Sequence, residues 1–147
     1  MLSPGKWLRS GALAGLPAMA LAGLVAMALG GCARSVRLKA LPAARGGQVS
    51  VKVELTYDRN DQLQIKLQAP DPSAYGPNYT RYVAWVATPD RAHVINVGQI
   101  RVEGGKGALQ TLTPLRKFRM FLTVEEQGDV MKPGPLVVFE AEKDIDW

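Results

Sequence analysis

Apolar and polar residues alternate without a break over residues 49–57, and this pattern restricts the fold more than any other in the chain. The apolar positions are Val49, Val51, Val53, Leu55 and Tyr57. Side chains that alternate in this way point to opposite faces of a β-strand, so that one face is buried and the other is exposed. A second alternating run lies at residues 62–68, after a polar turn at residues 58–61. Together the two runs predict a β-hairpin.

Five further short runs follow this hairpin, separated by segments that contain Gly, Pro or Asp. They lie at residues 81–88, 92–103, 108–113, 117–124 and 136–141. After Cys32, no segment keeps the three-four apolar spacing of a helix over three turns. About seven short strands therefore predict an all-β fold, a single immunoglobulin-like antiparallel β-sandwich over residues 48–142. Trp85 is expected in its core and Gly98 at a bulge, and residues 143–147 are expected to form an acidic tail.

The first 31 residues differ in character from the rest of the chain. Lys6 and Arg9 precede residues 11–31, which carry no charge and are mostly apolar. A basic start, an apolar middle and a small-residue end are typical of a secretory signal peptide, which is helical in its apolar part. The uncharged stretch is also about long enough to span a bilayer, so an uncleaved transmembrane helix is the alternative.

The end of this leader resembles the lipobox of bacterial lipoproteins, with Leu29, Gly30 and Gly31 directly before Cys32. In that family the cysteine thiol receives a diacylglyceryl group and the leader is cleaved before it. The resemblance implies that residues 1–31 are the signal peptide and that Cys32 is the site of lipid attachment. Residues 32–47 are then expected to be the lipidated N-terminus and a tether, which can include a first strand at residues 36–41.

Two expectations follow from the lipobox resemblance. Ala33, and not Asp, follows Cys32, which in a Gram-negative lipoprotein implies the outer membrane, facing the periplasm. Because Cys32 is the only cysteine, its lipidation leaves the mature domain without a disulfide or a cysteine nucleophile. The tether is basic, so it is also expected to lie against anionic headgroups.

The segment at residues 82–125 carries a set of strand and turn residues: Tyr82, Val83, Trp85, Thr88, Pro89, Asp90, Asn96, Val97, Gly98, Ile100, Thr113, Pro114, Leu115, Phe118, Thr123, Val124 and Glu125. With these residues the segment is similar to a small β-sandwich module of bacterial envelope proteins, including exported lipoproteins, and to the extracytoplasmic domains of some anti-sigma factors. These are strand and turn residues, so the resemblance implies a fold and no catalytic motif.

Candidate binding residues lie in two places. Tyr75 and Tyr79 lie in the loop at residues 70–80, where three prolines reduce the entropy that ordering costs. They either pack within the loop or contact a protein or a glycan. The densest basic cluster comes directly after the run at residues 108–113. It consists of Arg116, Lys117 and Arg119, either as a solvated strand face or as a contact for lipid phosphates.

No catalytic or metal-binding motif is found. His93, the only histidine, lies near a turn, and the sequence contains no G-x-S-x-G nucleophile elbow. The turn residues Asp58, Asn60 and Asp61 lack the Gly and Glu that a calcium loop requires. We therefore expect no enzymatic activity, no cofactor and no metal site.

These observations predict a lipid-anchored envelope protein that acts as a non-enzymatic interaction or structural module. It binds the membrane through the lipid on Cys32 and is expected to bind an envelope protein. The alternative is a lipoprotein that binds a glycan or an amphiphile. Without Lys6 and Arg9 the chain carries 16 basic and 13 acidic residues, so nucleic acid is not an expected partner.

Overall fold

The computed structural model describes residues 32–146, and strands form most of this region. In chain order they are β1 (Ala33–Ala40), β2 (Gln48–Leu55), β3 (Asp61–Gln68), β4 (Arg81–Ala87), β5 (Val94–Ile100), β6 (Lys106–Thr113), β7 (Lys117–Glu125), β8 (Val137–Ala141) and β9 (Ile145–Asp146). A short 3-10 helix, Pro72–Tyr75, lies between β3 and β4. Within residues 32–146 no helix has the length and apolarity needed to span a bilayer. The all-β prediction is confirmed.

The seven predicted strands appear as β2 to β8, and β2 and β3 form the predicted hairpin around the turn at residues 56–60. The predicted signal peptide, with Leu29, Gly30 and Gly31 of the lipobox, lies outside the described residues.

Two strands lie in the segments expected to form the tether and the tail, of which only residues 36–41 are predicted as an optional strand. β1 occupies much of the expected tether and pairs with both β2 and β8, so the sheet begins directly after Cys32 and not at residue 48. β9 lies in the expected acidic tail, where Ile145 is buried and pairs with Phe118 of β7. Neither strand has an alternating pattern long enough to be recognised, because only Val36 and Leu38 of β1 and Ile145 of β9 point toward the core.

The strands form one continuous antiparallel sheet in the order β5-β4-β7-β8-β1-β2-β3-β6, and β9 pairs with β7 outside this path. The sheet curls until its two edge strands meet. There the Thr111 hydroxyl of β6 donates a hydrogen bond of 2.7 Å to the Val97 carbonyl of β5. The sheet is therefore nearly closed, and β5 and β6 contact through side chains instead of a backbone ladder.

Gly98 allows this close approach of β5 to β6. The β4–β5 register shifts beside Gly98, which confirms the predicted bulge, and its φ is +145°. A Cβ atom at this position would lie 2.8 Å from Cδ2 of Leu109. A residue with a side chain would push the two edge strands apart.

The main core fills the inside of the curled sheet. Its largest fully buried side chains include Tyr82, Phe118 and Phe139, together with the inward-facing Val, Leu and Ile residues of β2 and β3. These are the apolar positions of the two alternating runs, so the sequence pattern correctly predicts their buried face.

A second, smaller cluster covers the outer face of β4. It consists of Val83, Trp85, Ala87 and Phe121. Trp85 is fully buried, as predicted, and its ring stacks on Phe121 with 6.3 Å between the ring centroids. The sequence of β4 is mostly apolar because both faces of this strand are buried. Val130, from the loop at residues 126–136, packs against the outer cluster.

The register places the chain entry at one end of the sheet. Ala33 pairs with Glu54, Glu54 with Gln62, and Gln62 with Leu112, and these four residues form one row across β1, β2, β3 and β6. We call this the Cys32 end. The row of Gln48, Gln68 and Lys106 marks the far end, about 20 Å away at the rise of a β-strand.

Candidate functional site

Cys32 is exposed and lies one residue before β1. The described structure contains no other cysteine, so the thiol has no disulfide partner there. Among residues 32–146 none covers the sulfur, and an accessible sulfur is a geometric requirement for its modification.

The predicted basic cluster of Arg116, Lys117 and Arg119 is largely neutralised. Lys117 lies 3.5 Å from Asp146, and Arg119 lies 3.1 Å from Asp144. Both acids belong to the expected tail, which folds back onto β7. Only Arg116 of the three forms no ion pair with a residue in the range 32–146.

Asp61 is a buried carboxylate beside this region, at the start of β3. Neither of its side-chain oxygens has a hydrogen-bond partner among the described residues, and it is only 1% exposed. Burial raises the pKa of Asp61, while the positive charge of Arg116 acts in the opposite direction. The sequence places this residue in a turn and gives no indication that it is buried, because its burial depends on the adjacent strand β6.

Tyr75 is part of the structure of the loop at residues 70–80. Its hydroxyl accepts a hydrogen bond of 2.8 Å from the backbone N–H of Arg45, and the Arg45 guanidinium lies 5.9 Å from its ring centroid. Its ring also packs edge-to-face on Tyr82. Burial, and then the neighbouring Tyr75, raise the pKa of Tyr82. Tyr75 therefore anchors its loop to the segment before β2.

Tyr79 remains more available than Tyr75. It is half-buried and lines an open hollow at the far end with Glu126 and Pro135. Binding of a partner by either tyrosine stays a prediction, since each also contacts the main core.

The remaining residues considered for chemistry do not converge. His93 is exposed, and its backbone N–H donates to the Thr88 hydroxyl in a turn. Within residues 32–146 no three His, Cys, Asp or Glu side chains are grouped so that they could hold a metal ion.

A polar hollow on the outer face of the sheet is the best-formed candidate binding site. Arg37, Ser50 and Lys66 lie side by side in one row across β1, β2 and β3. The hollow has a volume of about 220 Å³ and is closed on one side by Gln48, whose amide donates a hydrogen bond of 2.8 Å to Gln68.

The charge of this hollow is positive. Arg37 and Lys66 flank the Ser50 hydroxyl about 10 Å apart, since two strand spacings separate them. Neither forms an ion pair with any residue of the described chain, in contrast to Lys52 on the same face, which lies 2.6 Å from Glu54. Two unpaired cations with a hydroxyl between them, and with two amides two residues further along β2 and β3, suit an anionic ligand.

Sequence reasoning missed this site because its residues come from three strands. Arg37 is placed there by β1, which the sequence does not predict as a paired strand. Arg37 and Lys66 are brought into one row only by the register. The sequence indicates the site only through the polar face of the β2–β3 hairpin. Such a face is expected for any hairpin that is exposed to solvent on one side.

Comparison of the chain with models of protein families, with curated proteins and with solved structures gives no match in any of the three. The similarity to envelope lipoproteins and to extracytoplasmic anti-sigma domains therefore stays a prediction. What the chain does has to be inferred from its leader, its exposed cysteine and its surface.

Proposed function

We propose that this chain is an exported protein anchored by lipid on Cys32, and that its β-domain is a non-enzymatic interaction or structural module of the cell envelope. The observation that carries the proposal is the position of the only cysteine. It follows an apolar leader with a lipobox-like end, and it is exposed directly before the first strand. The leader then acts as a signal peptide, and the outer membrane, facing the periplasm, is the proposed location.

The surface of the domain supports a non-enzymatic role. His93 is exposed in a turn, and the carboxylate of Asp61 contacts no hydroxyl or base that it could activate. The immunoglobulin-like sandwich is proposed as the finer description of the fold. Its layers would be β5-β4-β7-β8 and β1-β2-β3-β6, joined by the short β1–β8 ladder.

Cys32→Ala is expected to abolish lipidation. Without the thiol no thioether can form, so the variant should keep its leader and incorporate no radiolabelled palmitate. Intact mass and metabolic labelling measure both. Ser35→Ala, an exposed change three residues later, is the matched control and should mature normally. Normal processing of Cys32→Ala would refute the anchor.

A second function, binding of a glycan or an amphiphile that carries an anionic group, is favoured by the polar hollow of Arg37, Ser50 and Lys66. Two cations in a row can each donate charge-assisted hydrogen bonds to a phosphate or a carboxylate. The adjacent Gln48 and Gln68 amides can bond to sugar hydroxyls.

The double substitution Arg37→Ser with Lys66→Ser tests this second function. Each lost hydrogen bond to a charged group costs about 1.5–3 kcal/mol, so affinity for a fluorescent phosphorylated disaccharide should fall at least tenfold. Fluorescence polarisation gives the dissociation constant. Lys52→Ser removes a cation from the same face that is already paired with Glu54, and should change affinity less than twofold. Equal binding by both variants would exclude the hollow.

A further inference from the structure

The sheet begins so close to Cys32 that no spacer separates the domain from its anchor. Ala33 is already paired with Glu54 in the row of the Cys32 end. One residue of extended chain spans less than about 4 Å. A lipid on Cys32 therefore holds this end of the sheet at the bilayer surface, and not at the distance that the expected tether would allow.

Exposed apolar side chains are concentrated at this same end. Leu112 is in the row of Ala33 and is 52% exposed, and Leu55, one residue beyond that row, is 40% exposed. Tyr57 follows in the turn after β2 and is fully exposed. The other two large exposed apolar residues of the described chain, Ile95 and Met131, lie on β5 and in the loop after β7.

The turn that carries Tyr57 has a defined geometry. The Thr56 N–H donates to the Asn60 carbonyl at 2.9 Å, and the Thr56 hydroxyl donates to the Asp58 carboxylate. Arg59 adopts a φ of +68° and its N–H closes the turn on Thr56. These hydrogen bonds fix the turn, and the Tyr57 side chain that the turn carries is fully exposed.

The charges around these residues suit an anionic lipid surface. Arg59 is exposed in the turn and Arg116 follows β6, and neither forms an ion pair within residues 32–146. Of the acids near this end, Asp144 and Asp146 pair with cations of β7, and Asp61 is buried near the positive charge of Arg116. Asp58 accepts hydrogen bonds from Thr56 and Asn60 and keeps its negative charge, so Arg59 and Arg116 outnumber it. The two free arginines can then contact lipid phosphates.

We infer that the Cys32 end is a membrane-contact surface, on which Leu55, Tyr57 and Leu112 lie in the interfacial layer of the bilayer. The inference rests on the proposed anchor, because the chain outside the described region enters the fold at this end. Tyrosine favours the interface, where its ring is buried and its hydroxyl stays wet. The strands then run away from the membrane, and the loop at residues 70–80 projects about 20 Å into the aqueous space.

Depth-dependent fluorescence quenching tests this orientation. The full chain, purified from membranes, carries an environment-sensitive fluorophore at Tyr57→Cys or, as the matched control, at the exposed far-end position Asn78→Cys. It is reconstituted in phosphatidylethanolamine–phosphatidylglycerol vesicles that contain brominated acyl chains. We expect the label at position 57 to shift to the blue and to be quenched several-fold more than the label at position 78. Equal quenching would overturn the inference.

A second pair of variants tests the contact of Leu112 without changing the labelled position. Leu112→Glu should at least halve the quenching at position 57, because a charge is expelled from the interface. Gln110→Glu adds the same charge on the same face of β6, farther from the Cys32 end, and should have little effect. Circular dichroism checks that each variant is folded. Unchanged quenching by Leu112→Glu would count against membrane contact by Leu112.

Intact mass of the same samples separates this inference from the proposed function. Acylated protein with a water-exposed position 57 would refute the orientation alone. Protein that keeps its leader and has a free Cys32 would refute the lipid anchor, and the quenching is then measured in a Cys32→Ser background. Protein that has neither lipid nor leader and does not bind vesicles would refute both.

Discussion

Trp85→Ala is expected to lower the free energy of unfolding by about 3–5 kcal/mol, the usual cost of deleting a large buried aromatic side chain. Trp85 of β4 is fully buried under the loop at residues 126–136, and it is the largest side chain of the outer cluster. Since domains of this size are stable by about 5–15 kcal/mol, this one substitution removes a large part of the total. Urea denaturation followed by circular dichroism measures the change.

The reason for so large an effect is that Trp85 also begins a chain of buried hydrogen bonds. Its indole N–H donates to the Thr123 hydroxyl at 2.8 Å, and this hydroxyl donates to Glu125 at 2.7 Å. Glu125 also accepts the Gly134 N–H at 2.7 Å, which ties the loop to β7. Loss of the indole leaves the Thr123 oxygen without its donor in a dry environment.

Trp85→Phe separates the two contributions. It keeps an aromatic ring against Phe121 but removes the N–H, so a loss of about 1–3 kcal/mol is expected from the unpaired hydroxyl and the smaller volume. A loss below about 1 kcal/mol for Trp85→Ala would show that the outer cluster does not contribute to stability as proposed.

Gly47→Ala is expected to be the second most destabilising change, at about 2–5 kcal/mol. Gly47 has a φ of +104°, and a Cβ atom there would lie 2.2 Å from the Gln68 carbonyl oxygen and 2.9 Å from Cα of Ala69. Both contacts are with backbone, which cannot move aside as a flexible side chain can. The connection from β1 to β2 would have to move away from the end of β3.

Gly46→Ala is the matched control for this substitution. Gly46 has a similar φ of +93°, but no atom lies within 4 Å of a Cβ built there. It should therefore show only the cost of the left-handed backbone, about 1–2 kcal/mol. Thermal unfolding of the two variants gives the difference. Equal losses would mean that the close approach of Gly47 to β3 is unimportant.

The positions of seven strands could be predicted because their cause is local. Val49, Val51 and Val53 alternate with polar residues since each strand of the hairpin has one buried and one exposed face, and this is visible in any window of a few residues. β1 could not be predicted in the same way. Val36 and Leu38 are its only inward-facing apolar residues, and its pairing on both sides with β2 and β8 stabilises it.

The candidate sites show the same division between local and non-local causes. Cys32 is a candidate for lipid attachment from adjacent residues alone, because a lipobox-like pattern lies along the chain. The cluster of Arg116, Lys117 and Arg119 looked free because its acidic partners lie more than twenty residues later, where β9 folds back onto β7. Conversely, Arg37 and Lys66 looked unrelated until β1 and β3 were placed on either side of β2.

By itself, the sequence determined the fold class, the seven central strands, the burial of Trp85 and the position of the only cysteine after an apolar N-terminal segment. The tertiary structure alone decided which strands are neighbours, which charges are paired and where the chain enters the sheet. The physical reason is that strand formation follows from the faces of a short segment, whereas register joins residues far apart in the chain. Register is also what brings Cys32, Leu55 and Leu112 to one end of the sheet.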